Sequence, residues 1–93
     1  MKIRMYTCIN YSEEVVKGVL TNLLNEYENI CKCDRCLADM AALALNKVKP
    51  RYVVTEEGMI YAKSLLEVDK QEKISIMAIV INAIEEVAKN PKH

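Results

Sequence analysis

Several residue types that shape small domains are rare or missing in this chain. The 93 residues include neither Trp nor Phe, and only two glycines and two prolines. Turns depend heavily on Gly and Pro, so their scarcity argues against a fold rich in hairpins. Because 52% of the residues are hydrophobic, the core must be built from aliphatic side chains, as is typical of helical proteins. A chain of this length has enough material for one small domain.

An excess of charge of either sign is also lacking. Thirteen basic residues balance thirteen acidic residues, so the chain has no overall positive field to attract nucleic acid or an anionic bilayer. We therefore expect neither DNA nor a membrane as a partner. Lys2 and Arg4 interrupt the first residues, which contain no long apolar run of the kind found in signal peptides. The sequence predicts a soluble, cytoplasmic protein.

Catalytic groups are scarce as well. The single histidine is His93, at the end of the sequence, and no Gly-rich phosphate loop is present. Nothing in the sequence supplies a base next to a nucleophile, so we expect a protein that is not an enzyme.

Four segments combine a helix start signal with apolar residues at helical spacing. The expected N-caps are Asn10, Asp34, Thr55 and Asp69, and Pro50 and Pro91 are expected to stop the second and fourth helices. The predicted elements are an N-terminal arm over residues 1–9 and helices over residues 11–30, 34–48, 56–67 and 70–90. Residues 49–54 are expected to form an extended connector. The sequence thus predicts an all-α fold, one small four-helix domain over residues 1–93.

The fourth predicted helix is apolar around most of its circumference. Within "ISIMAIVINAI", residues 74–84, only Ser75 and Asn82 are polar, so the helix has to be covered on more than one side. The segment is too short to cross a bilayer, which takes about 20 residues. A four-helix chain has little material to enclose it, so we predict an intertwined homodimer with this helix at the interface. A central core helix of a monomer is the alternative.

The segment "CKCDRC" places Cys31, Cys33 and Cys36 within six positions. In a reducing compartment such thiols are more often metal ligands or redox groups than disulfides. Three thiolates that converge from a loop and a helix start are typical of a tetrahedral zinc site, and Lys32 and Arg35 would offset its negative charge. We predict structural Zn²⁺ and no organic cofactor. The alternatives are a dithiol redox pair, which lacks the expected βαβ context, an iron–sulfur cluster, and packing without a ligand.

Three cysteines leave one position of a zinc site to be filled, and Cys8 is the candidate. Cys8 lies just before the first predicted helix, whereas the cluster lies just after it. A helix of about 19 residues is about 28 Å long, so Cys8 would have to come from a partner chain. Otherwise the fourth ligand is His93, a water molecule, or nothing.

Residues 31–73 combine the cysteine cluster with the motif "LNKVKPRY" that follows it. In this combination the chain resembles the late competence development protein ComFB family, and the matching positions are Cys31, Cys33, Cys36, Asp39, Ala42, Leu45, Asn46, Pro50 and Tyr52. The resemblance implies a small all-α homodimer, zinc binding where the cysteines are present, and no enzymatic activity. It also implies a link to competence and, in some lineages, cyclic di-GMP binding with control of pili, motility or natural transformation.

The basic residues around Pro50 are the candidates for such a nucleotide site. A cyclic dinucleotide needs cations for its phosphates and flat groups for its guanines, and residues 32–51 hold five basic against two acidic side chains. The predicted ligand-binding residues are Asn46, Lys47, Lys49, Arg51 and Tyr52. The basic run is equally explained as a solvated face, Asn46 as a helix C-cap and Tyr52 as a packing residue.

Three functions are therefore predicted, in decreasing order of support from the residues. The first is a non-enzymatic regulatory or adaptor protein with structural zinc and a protein partner that the sequence does not identify. The second is a cyclic di-GMP receptor, and the third is a thiol redox protein.

Overall fold

The computed structural model describes residues 8–91. The elements in chain order are β1 (Ile9–Asn10), α1 (Tyr11–Leu24), α2 (Asp34–Leu45), β2 (Tyr52–Val53), α3 (Glu56–Val68) and α4 (Lys70–Lys89). The predicted all-α fold with four helices is confirmed. Within residues 8–91, no helix combines the length and the hydropathy that a transmembrane span needs.

The hydrophobic core lies where α1, α2 and α4 meet. Its largest fully buried side chains are Val16, Cys36, Met40, Val80 and Ile84. On α4 the buried residues recur every three or four positions, so one face of this helix packs in the core. By contrast, α3 packs on α4 and contributes one buried residue, Ala62. The domain is a three-helix core with α3 laid against its side.

Side chains at the start of α1 hold together segments that are distant in sequence. The Oδ1 atom of Asn10 accepts hydrogen bonds from the backbone N–H of Ser12 at 3.1 Å and from that of Arg51 at 2.9 Å. The buried Ser12 hydroxyl donates to the carbonyl of Lys49. Beside these bonds, β1 pairs antiparallel with β2. The connector that follows α2 is therefore fastened to the start of α1.

The end of the predicted N-terminal arm pairs with the connector after α2. The sequence showed no partner for it, yet Ile9 lies opposite Val53 and Asn10 opposite Tyr52 in the two-stranded sheet. Residues 1–7 of the predicted arm lie outside the described residues.

Two helices end earlier than predicted. α1 ends at Leu24 and not at residue 30, because Glu26 and Glu28 would place negative charge at the negative end of the helix dipole. The last turn tightens there, with the Glu26 N–H bonded to the carbonyl of Leu23. α2 ends at Leu45 with Asn46 as its C-cap and not at residue 48, since Pro50 and the fastened connector require extended backbone just beyond.

Replacing Asn10 with Ala is expected to lower the free energy of unfolding by about 2 kcal/mol. An N-cap is worth about 1 kcal/mol, and a second donor, the Arg51 N–H, loses its acceptor at about the same cost. Urea denaturation measures the change. Asn10→Asp keeps the acceptor and should restore most of the stability, whereas Asn82→Ala, at an exposed position of α4, should change it by less than about 0.5 kcal/mol. A loss for Asn10→Ala no larger than that of Asn82→Ala would contradict the account.

Candidate metal centre

The three cysteines of the cluster converge at the junction of α1 and α2. Cys31 lies in the loop between the helices, Cys33 lies directly before α2, and Cys36 lies in the first turn of α2. Their Sγ atoms are all within 4.8 Å of one another. Cys8 is exposed beside β1, at the opposite end of α1. Within the described part of the chain, the structure thus brings together three of the four predicted ligands.

The spacing of the sulfur atoms suits a zinc ion. Zinc–sulfur bonds of about 2.3 Å in a tetrahedron hold neighbouring sulfurs about 3.8 Å apart. Since the Sγ atoms lie within 4.8 Å of one another, rotations of the side chains and shifts of about 1 Å would bring them into that geometry. Thiolates are soft ligands that favour zinc over magnesium or calcium. The donor set therefore fits the predicted ion.

The N-cap of α2 is Cys33, and the prediction of Asp34 is wrong by one residue. Asp34 is the first residue of the helix, and the Cys33 Sγ accepts the backbone N–H of Cys36 at 3.5 Å. This hydrogen bond, followed by one from the Cys31 thiol, lowers the pKa of Cys33 below its usual value. The helix start thus supports the thiolate form, which is the form that binds metal.

Cys36 is the buried member of the centre. Only 1% of its surface is exposed, and it belongs to the hydrophobic core, against which Cys31 packs. Burial, together with the neighbouring thiols of Cys31 and Cys33, raises the pKa of Cys36 to about 12. A thiol in such a place gives up its proton when a cation takes the proton's position. The centre therefore combines an exposed sulfur that ionises readily with a buried one that a metal has to deprotonate.

The two cations interleaved with the cysteines bind other groups. The Lys32 ammonium donates to the carbonyl of Leu24 at 2.9 Å and to that of Tyr27, so it satisfies acceptors at the end of α1. Arg35 pairs with Asp39 one turn further along α2, at 3.3 Å. The hydrogen bond from Lys32 to Leu24 attaches the loop that carries Cys31 to the end of α1.

The predicted ligand-binding residues do not share one site. Lys49, Arg51 and Tyr52 line an open groove of about 570 Å³ between β2 and α3, and sequence reasoning missed Tyr61, which lines it as well. Asn46 lies in a different hollow, of about 490 Å³, between α2 and α4. Lys47 follows Asn46 and is exposed.

Arg51 is engaged within the chain. Its guanidinium forms an ion pair with Glu72 in the first turn of α4, where the two side chains are 26% and 25% exposed. Sequence reasoning missed this role of Glu72, because an ion pair between residues 21 positions apart leaves no local pattern. Of the five basic side chains in residues 32–51, Lys32, Arg35 and Arg51 thus bind groups of this chain.

Comparisons with known proteins agree on one family. Residues 9–91 match the model of the family described as "Late competence development protein ComFB". The competence protein ComFB of Bacillus subtilis (strain 168) is 34% identical over 83 residues, which cover 89% of this chain and 84% of that protein. A solved structure of the late competence protein ComFB from Bacillus subtilis superposes with a TM-score of 0.81 at 32% identity, over 92% of this chain and 93% of that chain. The chain belongs to the late competence development protein ComFB family.

Proposed function

We propose that this protein is a cytoplasmic, non-enzymatic regulatory or adaptor protein whose cysteine cluster holds a structural zinc ion. The observation that carries the proposal is the convergence of three sulfur atoms within 4.8 Å where α1 and α2 meet. Membership of a competence family supports a role in competence. Donor sets made of cysteine are typical of structural zinc rather than of catalytic zinc, which agrees with a protein that binds and does not catalyse.

The zinc ion would fasten an irregular loop to the core. Residues 25–33, between α1 and α2, contain neither helix nor strand, and Cys31 lies near the end of this loop. A zinc ion coordinated by both Cys31 and the buried Cys36 would link the loop to α2. In this proposal the ion sets the geometry of the α1–α2 junction.

The fourth ligand in this proposal is the Cys8 thiol of a second copy of the chain. Within one chain, α1 separates Cys8 from the cluster, and the 14 residues of this helix span about 21 Å. Cys8 is exposed, so another copy can reach it. The alternative ligands are a water molecule and His93, which lies outside the described residues.

Metal analysis combined with native mass spectrometry tests the site and its fourth ligand. Protein purified without chelators should carry one zinc per chain, and Cys36→Ser should carry none. Cys8→Ser should lose zinc as well, because three sulfur ligands without the fourth bind more weakly. Wild-type protein free of zinc would contradict the proposal, whereas an unchanged zinc content in Cys8→Ser would exclude only the shared ligand.

Apolar residues left exposed on α4 support the predicted homodimer. Ile74 and Met77 lie one turn apart and are 60% and 44% exposed. On α3, an exposed stripe of Tyr61, Leu65 and Val68 follows helical spacing. Apolar surface of this kind is typical of an interface between copies of a chain.

Replacing Ile74 or Met77 with Lys is expected to convert the dimer to a monomer while the helical content stays unchanged. A lysine buried between two copies would leave an unpaired charge, which costs several kcal/mol of association free energy. Light scattering coupled to size exclusion measures the mass. Asn82→Lys adds the same charge to the exposed polar side of α4 and should remain dimeric. A wild-type protein that is monomeric at high concentration would exclude the dimer.

The second candidate function is a cyclic di-GMP receptor. The observation that favours it is the groove between β2 and α3, where Lys49 and Arg51 supply positive charge and Tyr52 and Tyr61 supply flat surfaces. Tyr52 and Tyr61 are both largely exposed, so they are accessible for stacking on a base. In this function the groove, and not the cysteine cluster, is the working site.

Calorimetry with cyclic di-GMP decides between the two functions. For a receptor, Lys49→Ala and Tyr52→Ala should weaken binding without changing the fold, because both side chains are exposed. Arg51→Ala is a poor test, since it also removes the ion pair with Glu72. The absence of binding heat and of any shift in Tm at high nucleotide concentration would exclude the receptor.

A further inference from the structure

The three sulfurs of the candidate zinc centre differ in exposure. Cys33 is exposed, Cys31 is half-buried and Cys36 is buried in the core. A dissolved oxidant can therefore reach the Cys33 sulfur directly, but it cannot reach Cys36. Susceptibility of cysteine to oxidation follows the accessibility of the thiolate, so Cys33 is the point at which an oxidant attacks this centre.

The position of Cys36 suits it to react with an oxidised Cys33. Cys33 is the N-cap of α2, and the Cys36 N–H points at its sulfur over 3.5 Å. Side chains three residues apart at a helix have Cβ atoms about 5–6 Å apart, and a disulfide needs about 3.5–4.5 Å. A shift of about 1 Å in the first turn of the helix closes this gap. The pair thus has an exposed attacking group and a buried resolving group within one turn.

We propose that Cys33 is an oxidative modification site with Cys36 as its resolving thiol, and that peroxide releases the zinc ion by joining these two residues in a disulfide. This inference rests on the proposed zinc site. The Cys33 thiolate attacks one peroxide oxygen, the O–O bond breaks, and a sulfenic acid and hydroxide are formed. The Cys36 thiolate then attacks the sulfenic sulfur, the S–S bond forms, and the S–O bond breaks to release a second hydroxide. Two thiolates and one hydrogen peroxide thus give one disulfide and two hydroxide ions, which the buffer protonates to water, and the two sulfurs have lost two electrons to the peroxide.

The consequence for the ion follows from the number of donors. A disulfide sulfur is a poor zinc ligand because the thiolate is the form that binds. After oxidation, Cys31 and the Cys8 thiol of the second copy are the ligands that remain, and two thiolates hold zinc more weakly than four. The ion then leaves, and residues 25–33 lose the metal link to the core. Reduction of the disulfide restores the site.

Zinc release and disulfide mapping on the same sample test the proposal. The zinc-loaded, full-length protein is treated with hydrogen peroxide in the presence of a colour-forming zinc chelator that is too weak to remove zinc from the reduced protein. The expected result is one zinc released for each disulfide formed, with a loss of two hydrogen atoms in the mass of the chain. A thiol reductant and added zinc should then restore the full zinc content.

Trypsin separates the three cysteines, which makes the connectivity readable. Cleavage after Lys17, Lys32, Arg35 and Lys47 gives peptide 18–32 with Cys31, peptide 33–35 with Cys33 and peptide 36–47 with Cys36. A disulfide between Cys33 and Cys36 links peptide 33–35 to peptide 36–47. Any other pairing gives a crosslinked peptide of different mass.

The outcomes separate the redox step from the zinc site itself. Disulfides of Cys31 in place of the Cys33–Cys36 pair, or full retention of zinc after oxidation of that pair, would overturn the inference. If the purified protein contains no zinc, the proposed function fails, and the modification site is judged on the zinc-free chain alone. There Cys31→Ser should still form the disulfide between Cys33 and Cys36, and Cys36→Ser should not. Peroxide that forms no such disulfide in either state of the protein would also overturn it.

Discussion

Removing zinc from the cysteine cluster is expected to lower the free energy of unfolding by about 4 kcal/mol when free zinc is about a thousandfold above its dissociation constant. In the proposed zinc site the ion would stabilise the folded chain, because the fold gathers three sulfurs within 4.8 Å, whereas the unfolded chain spreads them apart. In a domain of this size each kcal/mol shifts Tm by about 4–8 °C. Circular dichroism should therefore show the chelated protein melting about 20 °C below the zinc-bound protein.

Cys36→Ser provides the matched control for this prediction. Serine is close to cysteine in size but does not ligate zinc as a thiolate does, and its hydroxyl in the core costs about 1–3 kcal/mol. With chelator present, the free energies of unfolding of the wild type and the variant should differ only by the cost of placing the serine hydroxyl in the core. With zinc present, the difference should grow by about 4 kcal/mol. An equal shift on adding zinc to both proteins would show that Cys36 is not a ligand.

Helix starts could be predicted from the sequence because the interactions that make them are local. Asn10, Thr55 and Asp69 are N-caps in the structure, and Asp69 accepts the N–H of Glu72 at 3.1 Å. The pairing of β1 with β2 could not be predicted. Two residues are too few to show a periodicity, and the partners come together only because Asn10 and Ser12 bind the connector after α2. Long-range hydrogen bonds of this kind leave no signal in either segment alone.

The same difference applies to the candidate metal centre. Spacing alone was enough to predict that Cys31, Cys33 and Cys36 converge, since a loop and one helical turn keep them close. The division of the three sulfurs into exposed and buried could not be predicted, because it depends on how α2 lies against α1 and α4. It is this division that distinguishes a site open to oxidants from a closed one.

The fourth helix shows where sequence patterning reaches its limit. Its apolar residues predicted a helix covered on more than one side, and the structure divides them into two groups. Ile76, Val80 and Ile84 face the core, whereas Ile74 and Met77 are exposed. Ile74 has the same side chain as Ile76 and Ile84, so hydropathy could not tell which isoleucines belong to the core of one chain and which are available to another.

Replacing Ile84 with Ala is expected to lower the free energy of unfolding by about 3 kcal/mol. The side chain is completely buried where α4 meets the other core helices, so its loss removes apolar contacts and leaves a cavity. Neighbouring helices can close such a cavity only in part, since core side chains are packed at high density. Urea denaturation with an unchanged m-value would show that the effect is one of stability and not of a changed unfolded state.

Ile74→Ala makes the same chemical change in the same helix at a side chain that is 60% exposed. Both variants gain about 0.4 kcal/mol in helix propensity. The difference between their losses of unfolding free energy therefore reports how deeply each isoleucine is buried. At the lowest protein concentration that allows a measurement, Ile74→Ala should cost less than about 1 kcal/mol. At high concentration its cost should rise if Ile74 lies between two copies, because dimer formation then contributes to stability. Equal losses for the two variants at low concentration would contradict the assignment of Ile84 to the core and of Ile74 to the surface.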